Sequence, residues 1–399
     1  MHEMTKTVRA AVERIYDDVV ALRRHLHMHP ELSQQEKDTM AFVSEYLTGL
    51  DIPHKTNVGG YGIVAIIGDP NAETAVALRA DMDALPVQEQ TDLPYASTVP
   101  GVMHACGHDV HTAILMGTAR ILKEMESQLP GMVKLFFQPA EERVGGARPM
   151  IADGCLQDPP VTRIMGLHVD PEAPVGTVTF FPGARSASST AFSITVHGKS
   201  CHGAQPQTGV DALLAGAHIV TALQNLASRS VSPTDPVVLT VGQFHAGTKG
   251  NIVAGTAEMH GTLRALSLQT RDLMKDRIRM VAENTAALYG ATVDVQIKDS
   301  NLPVIPHGPS NQLMLAVAKE ALGKENVILA KAPVMTAEDF CYFLNEVPGT
   351  FFDLGTTAPD CPWPQTLHND RFTPDESCMK DGMLLEVLGA LTFLKEEHK

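Results

Sequence analysis

The sequence predicts an α/β fold, an α/β sandwich interrupted by an inserted ferredoxin-like domain with the element order βαββαβ. Two patterns lead to this prediction. Towards both ends of the 399-residue chain, short apolar runs alternate with amphipathic helical segments, an order typical of α/β layers. Between them the order changes to strand, helix, two strands, helix and strand. We therefore expect a main domain formed by residues 1–184 and 299–399 and an inserted domain formed by residues 185–298.

The elements of the main domain follow from the spacing of its apolar residues. Apolar side chains recur at helical spacing from Val8 to Leu26, which predicts an opening helix. Further helices are predicted over 114–125, 311–322 and 375–395. Continuous apolar runs predict strands over 63–67, 75–78, 132–137, 163–167 and 350–354. A loop rich in Pro and Gly, ending at His368, precedes the last helix.

The elements of the inserted domain begin after the turn residues Pro182 and Gly183. Strands are predicted over 190–196, 237–244, 256–263 and 291–297. Helices are predicted over 210–227 and 268–288. Their order along the chain is that of the split ferredoxin-like motif.

Composition and charge narrow the class of partner. A hydrophobic content of 44% and a charged content of 19% are those of a globular protein. The formal charge of -15 argues against nucleic acid or an anionic membrane as a partner, because phosphate binding needs clustered Lys and Arg. No segment has the apolar length of a signal peptide core or a membrane helix, and the six cysteines form no CxxC pair. These features predict a cytoplasmic protein with free thiols that acts on a small molecule.

The densest group of reactive side chains lies in the stretch Met103–His111, Met-His-Ala-Cys-Gly-His-Asp-Val-His. Three histidines, one cysteine and one aspartate fall within nine residues, and all of them can bind a metal or move a proton. We interpret the stretch as half of a metal site. One alternative is a helix N-terminus capped by Asp109 with histidines on the surface around it. Another is a Cys106 nucleophile with a histidine partner.

Acidic or imidazole side chains follow three of the predicted strands. They are Asp81 and Asp83, Glu141 and Glu142, and His168. Open α/β sheets bind ligands outside the carboxyl ends of their strands, so these side chains are expected to lie together. Adjacent side chains of an extended segment point to opposite sides, so we expect one of Glu141 and Glu142 to bind metal and the other to relay a proton. A solvated turn is the alternative interpretation of this pair.

A dinuclear hydrolytic site needs several anionic or imidazole ligands and a base that is not itself a ligand. The histidine-rich stretch, the strand ends and the C-terminal loop together meet this need. The ligand candidates are Cys106 as a thiolate, His108, Glu142, His168 and His368. The sequence contains no HExxH helix, nucleophile elbow or Walker loop, which argues against the commonest competing enzymes.

Five motifs together resemble those of the metal-dependent amidohydrolases, a family that includes hippurate hydrolases, aminoacylases, N-acetyldiaminopimelate deacetylases and plant auxin-conjugate hydrolases. The motifs are Arg-His-Leu-His-x-His-Pro-Glu-Leu at 24–32, Ala-Asp-Met-Asp-Ala-Leu-Pro at 80–86, Met-His-Ala-Cys-Gly-His-Asp-x-His at 103–111, Gln-Pro-Ala-Glu-Glu at 138–142 and Glu-Asp-Phe at 338–340. They span nearly the whole chain in the family's order.

The resemblance implies a catalytic main domain with two divalent metal ions, which would be manganese, zinc, cobalt or nickel. It implies the five ligand candidates named above as the metal ligands, Glu141 as the general base, and Asp81 and Asp83 as residues that orient ligands. It also implies that the inserted domain is a lid or dimerisation domain in a homodimer or homotetramer.

In that lid domain, the resemblance implies that His202 helps to hold the tetrahedral oxyanion. Asn251 and Arg264 match positions near the substrate carboxylate. Two departures from the family pattern affect the expected lid geometry and substrate preference. Val253-Ala254 stands where many relatives have Pro after Asn-Ile, and His-Gly-Ala stands where His-Ala-Ala is frequent. Whether His202 acts in its own chain or across a dimer stays open.

The function implied is hydrolysis of the amide bond of an N-acyl amino acid to a carboxylic acid and a free amino acid. In this hypothesis the metals activate a water, Glu141 moves its proton to the leaving amine, and His202 helps to stabilise the oxyanion. Arg264 clamps the substrate α-carboxylate. The alternatives are a dipeptidase or carboxypeptidase with the same dinuclear site, and a non-catalytic metal-binding scaffold.

Overall fold

The secondary structure is given by a computed structural model, which describes residues 2–143, 145–361 and 366–397. Its strands are β1 His54–Val58, β2 Gly62–Gly68, β3 Ala75–Asp81, β4 Met132–Gln138, β5 Val161–Pro174, β6 Val178–Phe180, β7 Ser188–His197, β8 Cys201–His202, β9 Val237–Ala246, β10 Ile252–Val253, β11 Thr256–Ala265, β12 Thr292–Asp299, β13 Val327–Leu329 and β14 Gly349–Thr357. Its α-helices are α1 His2–Met28, α2 Lys37–Gly49, α3 His108–Glu124, α4 Ala147–Ala152, α5 Ala212–Arg229, α6 Leu268–Leu288, α7 Gly308–Leu322, α8 Cys341–Glu346 and α9 Cys378–Glu397.

The chain folds into two compact units. The first comprises Met1–Gly183, Ile305–Ala332 and Asp339–Lys399, and the second comprises Ala184–Val304 and Pro333–Glu338. The second unit thus includes a short returning segment that the sequence analysis left in the main domain. Ser186 forms bridges with both Val304 and Val334, which joins that segment to the second unit.

The first unit is built on a mixed eight-stranded sheet in the order β1-β2-β4-β3-β5-β14-β6-β13. Its central strands β4, β3, β5 and β14 run parallel to one another. Their carboxyl ends therefore lie at one edge of the sheet, where open α/β sheets place their ligands.

Alternation along the strands gives this sheet two apolar faces. On β4, Val133, Leu135 and Phe137 belong to a core that also contains apolar residues of α1, α3, α7 and α9. The intervening Phe136 lies on the other face, where its ring centroid is 5.7 Å from that of Phe343 on α8. Burial on both faces explains why this strand appears in the sequence as a nearly continuous apolar run.

The second unit contains a four-stranded antiparallel sheet in the order β12-β7-β11-β9. Along the chain the elements follow the order β7, α5, β9, β11, α6, β12, with the short pair β8 and β10 inserted. Apolar residues of both helices pack with those of the sheet in a separate core, represented by Ile219, Met274 and Met259. The predicted α/β class with a βαββαβ domain is confirmed.

Two local predictions were wrong, and some elements were missed. The strand predicted to end before His168 continues through it, because β14 pairs alongside β5 as far as Pro174. The glutamates at 141 and 142 lie in a 3-10 turn rather than an extended segment. Helices α2, α4 and α8 and strands β1, β6, β8, β10 and β13 were not predicted. The loop predicted before His368 includes residues 362–365, which lie outside the described residues.

Within the described ranges, none of the helices combines the length and apolarity needed to cross a membrane. This agrees with the sequence, which has no apolar segment of membrane-spanning length.

One carboxyl group in the core of the first unit is buried with no cationic partner among the described residues. Glu386 on α9 is 1% exposed, and the hydroxyl of Thr118 donates a 2.7 Å hydrogen bond to its Oε2. Burial raises the pKa of Glu386 to about 8, although the Thr118 hydrogen bond lowers it in part. Between pH 4.5, the ordinary pKa of a glutamate, and about pH 8, the carboxyl group of Glu386 is therefore protonated in the folded protein and ionised in the unfolded chain.

We expect Glu386→Gln to become increasingly stabilising as the pH rises from about 5 to about 8. The group's contribution to wild-type stability falls by about 1.4 kcal/mol per pH unit in this window, because only the folded state holds the proton. The amide stays neutral and keeps an acceptor for Thr118. Urea denaturation at several pH values measures the difference, and the exposed Glu45→Gln serves as the control. A pH-independent difference between Glu386→Gln and wild type would contradict the assignment.

Candidate metal centre

The histidine-rich stretch lies at the start of helix α3, beside the carboxyl ends of β3 and β4. Gly107 precedes the helix with a φ of 80°, a left-handed conformation that glycine adopts without strain. A Cβ at this position would lie 2.5 Å from Cγ2 of Val169, so glycine is also required by close packing. The backbone N–H of His368 donates a 2.8 Å hydrogen bond to the carbonyl of Ala105. The C-terminal loop is thereby fixed against the stretch that carries Cys106.

The five predicted ligands come together in the first unit, in two groups that share Cys106. The first group is Cys106, His108 and His168, and the second is Cys106, Glu142 and His368. Within each group the possible ligand atoms all lie within 4.8 Å of one another. Sγ of Cys106 is 3.5 Å from Nε2 of His168, and Nε2 of His368 is 3.3 Å from Oε1 of Glu142. Two groups with a common thiol fit a pair of neighbouring cations.

The bonding of these side chains also fits a metal. His108 Nδ1 lies 3.2 Å from the Asp83 carboxylate, and His168 Nδ1 lies 2.8 Å from the Val169 carbonyl. If each Nδ1 carries the proton, each Nε2 is left as the lone-pair atom. Among the described residues, His108 Nε2 is buried without a hydrogen-bond partner. An unpaired buried polar atom is costly, and a cation held by this nitrogen and by Oε1 of Glu142, 3.9 Å away, would remove that cost.

The burial and charge of the site shift the pKa values of its ligands. Burial lowers the pKa of His108, but the carboxylates of Asp81 and Asp83 outweigh it and raise the pKa to about 10, so a cation bound at Nε2 would displace a proton. Burial, followed by the charges of Glu142 and Glu141, raises the pKa of the Cys106 thiol well above its ordinary value. A cation bound to the sulfur would offset these effects and favour the thiolate, which is the form that binds metal.

The carboxylate of Asp83 uses both of its oxygens. Oδ1 accepts from the backbone N–H of Glu141 at 3.0 Å and lies 3.2 Å from His108 Nδ1. Oδ2 accepts from the N–H of Glu142 at 3.1 Å and from the hydroxyl of Ser33 at 2.6 Å. Asp83 therefore joins a ligand histidine to the turn that carries the two glutamates.

Asp81 is paired on both sides as well. The guanidinium of Arg79 donates to its Oδ2 at 2.7 Å, and Nδ1 of His111 lies 2.6 Å from its Oδ1. Nε2 of His111 accepts from the N–H of Val169 at 2.9 Å. Both ring nitrogens of His111 are thus used within the protein, which assigns it a supporting role. Burial opposes ionisation of Asp81, but Arg79 and His108 outweigh it and hold its pKa well below the ordinary value.

The side chains of Glu141 and Glu142 lie in different surroundings. The cause is the 3-10 turn that carries them and not the alternation of side chains along a strand. Glu141 is 7% exposed, and its Oε1 accepts from the backbone N–H of Asp339 at 3.2 Å. Oε1 of Glu142 instead lies 3.3 Å from His368 Nε2 and 3.9 Å from His108 Nε2. The two carboxylates thus have separate surroundings, and the interpretation of the pair as a solvated turn is wrong.

The surface interpretation of the histidine-rich stretch is also wrong. His104, His108, Asp109 and His111 are all buried, and no side chain caps α3. Oδ2 of Asp109 instead lies 2.8 Å from Nε of Arg23 and 2.8 Å from Nδ1 of His27, both on α1. Burial opposes ionisation of Asp109, but Arg23 and His27 hold its pKa below the ordinary value. Arg23 and His27 therefore support the metal-binding stretch from α1, and His27 is part of the first family motif.

The sequence analysis assigned no role to several residues that support the site. Arg79 donates from Nε to Gln138 at 2.8 Å and from a terminal nitrogen to Asp339 at 3.0 Å. The amide of Gln138 donates to Asp339 at 2.7 Å, and the N–H of Ala147 donates to the second oxygen of Asp339 at 3.1 Å. The signals for these residues were their positions inside or beside the family motifs at 80–86, 138–142 and 338–340.

His202, Asn251 and Arg264 belong to the second unit. His202 lies on β8 opposite Ile252 of β10, and the N–H of Gly203 donates to the carbonyl of Asn251 at 2.8 Å. The N–H of Ala204 donates to Nδ1 of His202 at 3.0 Å, so the neutral ring carries its proton on Nε2. Arg264 lies on β11, and its half-buried guanidinium has no hydrogen-bond or ion-pair partner among the described residues.

Comparison with known proteins identifies the family. The model of peptidase family M20/M25/M40 matches residues 77–386. The chain is 37% identical over 369 residues to N-acetylcysteine deacetylase of Bacillus subtilis, covering 90% of this chain and 93% of that protein. It is 36% identical over 398 residues to thermostable carboxypeptidase 1 of Saccharolobus solfataricus, covering 98% of this chain and 99% of that protein.

A solved structure extends this agreement to the fold. The crystal structure of the Bacillus subtilis YxeP protein, described as a dinuclear metal binding peptidase from the M20 family, has a TM-score of 0.83 at 33% identity and covers 96% of this chain and 99% of that one. The predicted family resemblance is thus confirmed. The chain belongs to peptidase family M20/M25/M40.

Proposed function

We propose that this protein hydrolyses the amide bond of N-acyl amino acids, with two divalent metal ions held by Cys106, His108, Glu142, His168 and His368. The observation that carries the proposal is the pair of three-residue groups that share Cys106 beside the buried Glu141. A relative 37% identical to this chain is named an N-acetylcysteine deacetylase, which agrees with this substrate class.

The metals would supply Lewis acidity, which polarises the amide carbonyl and lowers the pKa of a water. Glu141 takes the proton of that water and delivers it to the leaving amine nitrogen. The contact of Oε1 with the Asp339 N–H fixes one carboxylate oxygen, and the bond from its own N–H to Asp83 fixes the backbone. Because its carboxylate oxygen and its backbone are both held, Glu141 loses little conformational freedom when it reaches the geometry of each proton transfer.

His202 is proposed as a donor to the oxyanion of the tetrahedral intermediate. Its Nδ1 accepts from Ala204, which leaves a proton on Nε2 in the neutral ring. An N–H donor on a fixed ring is suited to a developing negative charge.

Arg264 and Asn251 are proposed to bind the α-carboxylate of the substrate. Burial lowers the pKa of Arg264, and its guanidinium has no partner among the described residues of the protein. A planar guanidinium matches a carboxylate with two parallel hydrogen bonds, which a lysine cannot reproduce.

We expect Arg264→Gln to raise KM by roughly 10–100-fold with a small change in kcat. This range corresponds to about 1.5–3 kcal/mol for a hydrogen bond between charged groups, made equally in the ground and transition states. Steady-state kinetics on an N-acetyl amino acid measures it. The matching N-acetyl amino acid amide, which lacks the carboxylate, is the control, and its KM should rise much less. An equal rise in KM on both substrates would contradict the role of Arg264 in binding the carboxylate.

The proposed activity is tested with a panel of N-acetyl and N-benzoyl amino acids, including N-benzoylglycine, the hippurate hydrolase substrate. The purified protein is supplied with manganese, zinc, cobalt or nickel, and the amino acid released is measured with an amine-reactive dye. Release from at least one class that depends on added metal is expected. Turnover that is absent with all four metals would count against the proposal.

A carboxypeptidase or dipeptidase is the second candidate, because a relative at 36% identity over 98% of the chain is named a thermostable carboxypeptidase. The same panel with unblocked dipeptides and peptides separates the two. An N-acyl amino acid hydrolase needs no free amine in its substrate, whereas a dipeptidase does.

Four further points stay predictions of the sequence. They are the identity of the metals, the cytoplasmic location, the assembly as a homodimer or homotetramer, and the role of the inserted unit as a lid or dimerisation domain.

A further inference from the structure

The turn that carries Glu141 starts from an unusual backbone conformation. Ala140 has a φ of 53°, in the left-handed region that residues with a Cβ rarely adopt. It is 1% exposed and comes directly before the two glutamates. A conformation of this kind persists only where neighbouring groups hold it, and such positions concentrate at functional sites.

The N–H of Ala140 is held by the side chain of Glu36, while the carbonyl of Ala140 accepts from the N–H of Gly145 at 2.9 Å. Oε1 of Glu36 accepts from the N–H of Ala140 at 2.8 Å and from the N–H of Gln34 at 3.0 Å. Glu36 is 0% exposed, although it stands at the N-cap of α2, a position that usually faces solvent. Its side chain makes no capping bond to that helix. A residue that could stabilise its own helix is therefore directed to the turn instead.

Three consecutive backbone N–H groups of this turn are bound by two buried carboxylates. Glu36 accepts from Ala140, and Asp83 accepts from Glu141 at 3.0 Å and from Glu142 at 3.1 Å. Asp83 also contacts His108, so a change there would disturb a metal ligand directly. Glu36 is the part of this arrangement that can be changed without touching the ligand side chains.

We propose that Glu36 is a positioning residue, which sets the direction of the Glu141 carboxylate by holding Ala140 in its left-handed conformation. The inference deepens the proposed function and rests on it where catalysis is the readout. Without the acceptor at position 36, the N–H of Ala140 is left buried and unpaired, and the backbone at Ala140 relaxes towards an ordinary φ. Glu141, the next residue, then turns away from its productive geometry.

Glutamine at position 36 should replace glutamate well. Burial raises the pKa of Glu36 to about 7, although its backbone hydrogen bonds lower it, so much of the group is neutral near pH 7. The amide oxygen of Gln can accept from the same two N–H groups. Its amide nitrogen would occupy the place of Oε2, which has no partner among the described residues, so no existing hydrogen bond would be lost there.

Glu31 provides a matched control. Its carboxylate also accepts from two backbone N–H groups, those of Asp38 at 3.1 Å and Thr39 at 2.7 Å, in the first turn of α2. Glu31→Ala therefore removes the same number of bonds from the same region without reaching the turn at Ala140. It reports the effect of lost stability alone.

The test compares Glu36→Ala, Glu36→Gln and Glu31→Ala, each with its metal content measured. For Glu36→Ala we expect kcat per bound metal to fall by about 10²-fold with KM changed little, since misplacing a catalytic group by an ångström has this order of effect. The acid limb of its pH profile for kcat/KM should shift, because the surroundings of the base change. Glu36→Gln should keep the kcat per bound metal and the pH profile of the wild type. Glu31→Ala should lower the Tm and leave both of these properties unchanged.

A second readout needs no substrate. Hydrogen exchange measured by mass spectrometry should be faster in Glu36→Ala at the peptide containing residues 140–142, and unchanged there in Glu31→Ala. Unchanged exchange at this peptide, or full kcat per metal in Glu36→Ala, would overturn the inference. A wild-type protein inactive on every N-acyl amino acid would instead defeat the proposed function, and the exchange result would still decide the role of Glu36.

Discussion

Glu141→Gln is expected to lower kcat by roughly 10²–10⁴-fold while the protein keeps its metals, the range associated with loss of a general acid or base. Glutamine has the same shape, and its amide oxygen can still accept from the Asp339 N–H that contacts Oε1 at 3.2 Å. It cannot take a proton from water or return one to the amine. Turnover of an N-acetyl amino acid and metal analysis of the same sample measure both parts of the prediction.

Glu142→Gln is the matched comparison for this prediction. Both glutamates lie in the same 3-10 turn, but Oε1 of Glu142 lies beside His368 and His108. Its substitution should therefore release metal, and added metal should recover part of the activity. If Glu141→Gln kept near-normal turnover with its metals bound, the assignment of Glu141 as the base would be wrong.

The elements that the sequence predicted well are those defined by both period and boundary signals. The helix predicted over 268–288 is observed as α6, because its apolar period of 3.6 starts after Ser267, whose hydroxyl accepts from the Thr270 N–H. The strand predicted over 132–137 is observed as β4 with one further residue, since burial on both faces requires a continuous apolar run. The local sequence was sufficient to predict both elements.

The parts that were missed depend on contacts between distant segments. The left-handed Ala140 is held by Glu36, 104 residues earlier, and no local signal in Pro-Ala-Glu-Glu indicates that conformation. The bond from Arg79 to Asp339 spans 260 residues. His168 was placed after a strand because polar residues follow the apolar run, whereas pairing with β14 extends β5 through it. The residue types that could bind metal were predictable, but the groups that orient them were not.

The other large effect is expected at Cys106, the residue common to both candidate ligand groups. In Cys106→Ala, each group loses a ligand, so we expect the affinity for metal to fall by at least about 10²-fold, more than for loss of a supporting residue. Activity should fall with it. Reconstitution with cobalt gives a direct signal, because a thiolate bound to cobalt has a charge-transfer absorption in the near ultraviolet that nitrogen and oxygen ligands do not produce.

A second buried cysteine makes this test specific. Cys155→Ala removes a thiol that is 4% exposed and belongs to neither ligand group, so its cobalt spectrum and turnover should match those of wild type. In Cys106→Ala the charge-transfer band should be absent even at cobalt concentrations that refill the site. A nucleophilic Cys106 predicts the opposite pattern, in which the alanine variant binds metal normally and only turnover is lost. The two roles are therefore separated by the metal content and spectrum of one variant, without reference to its activity.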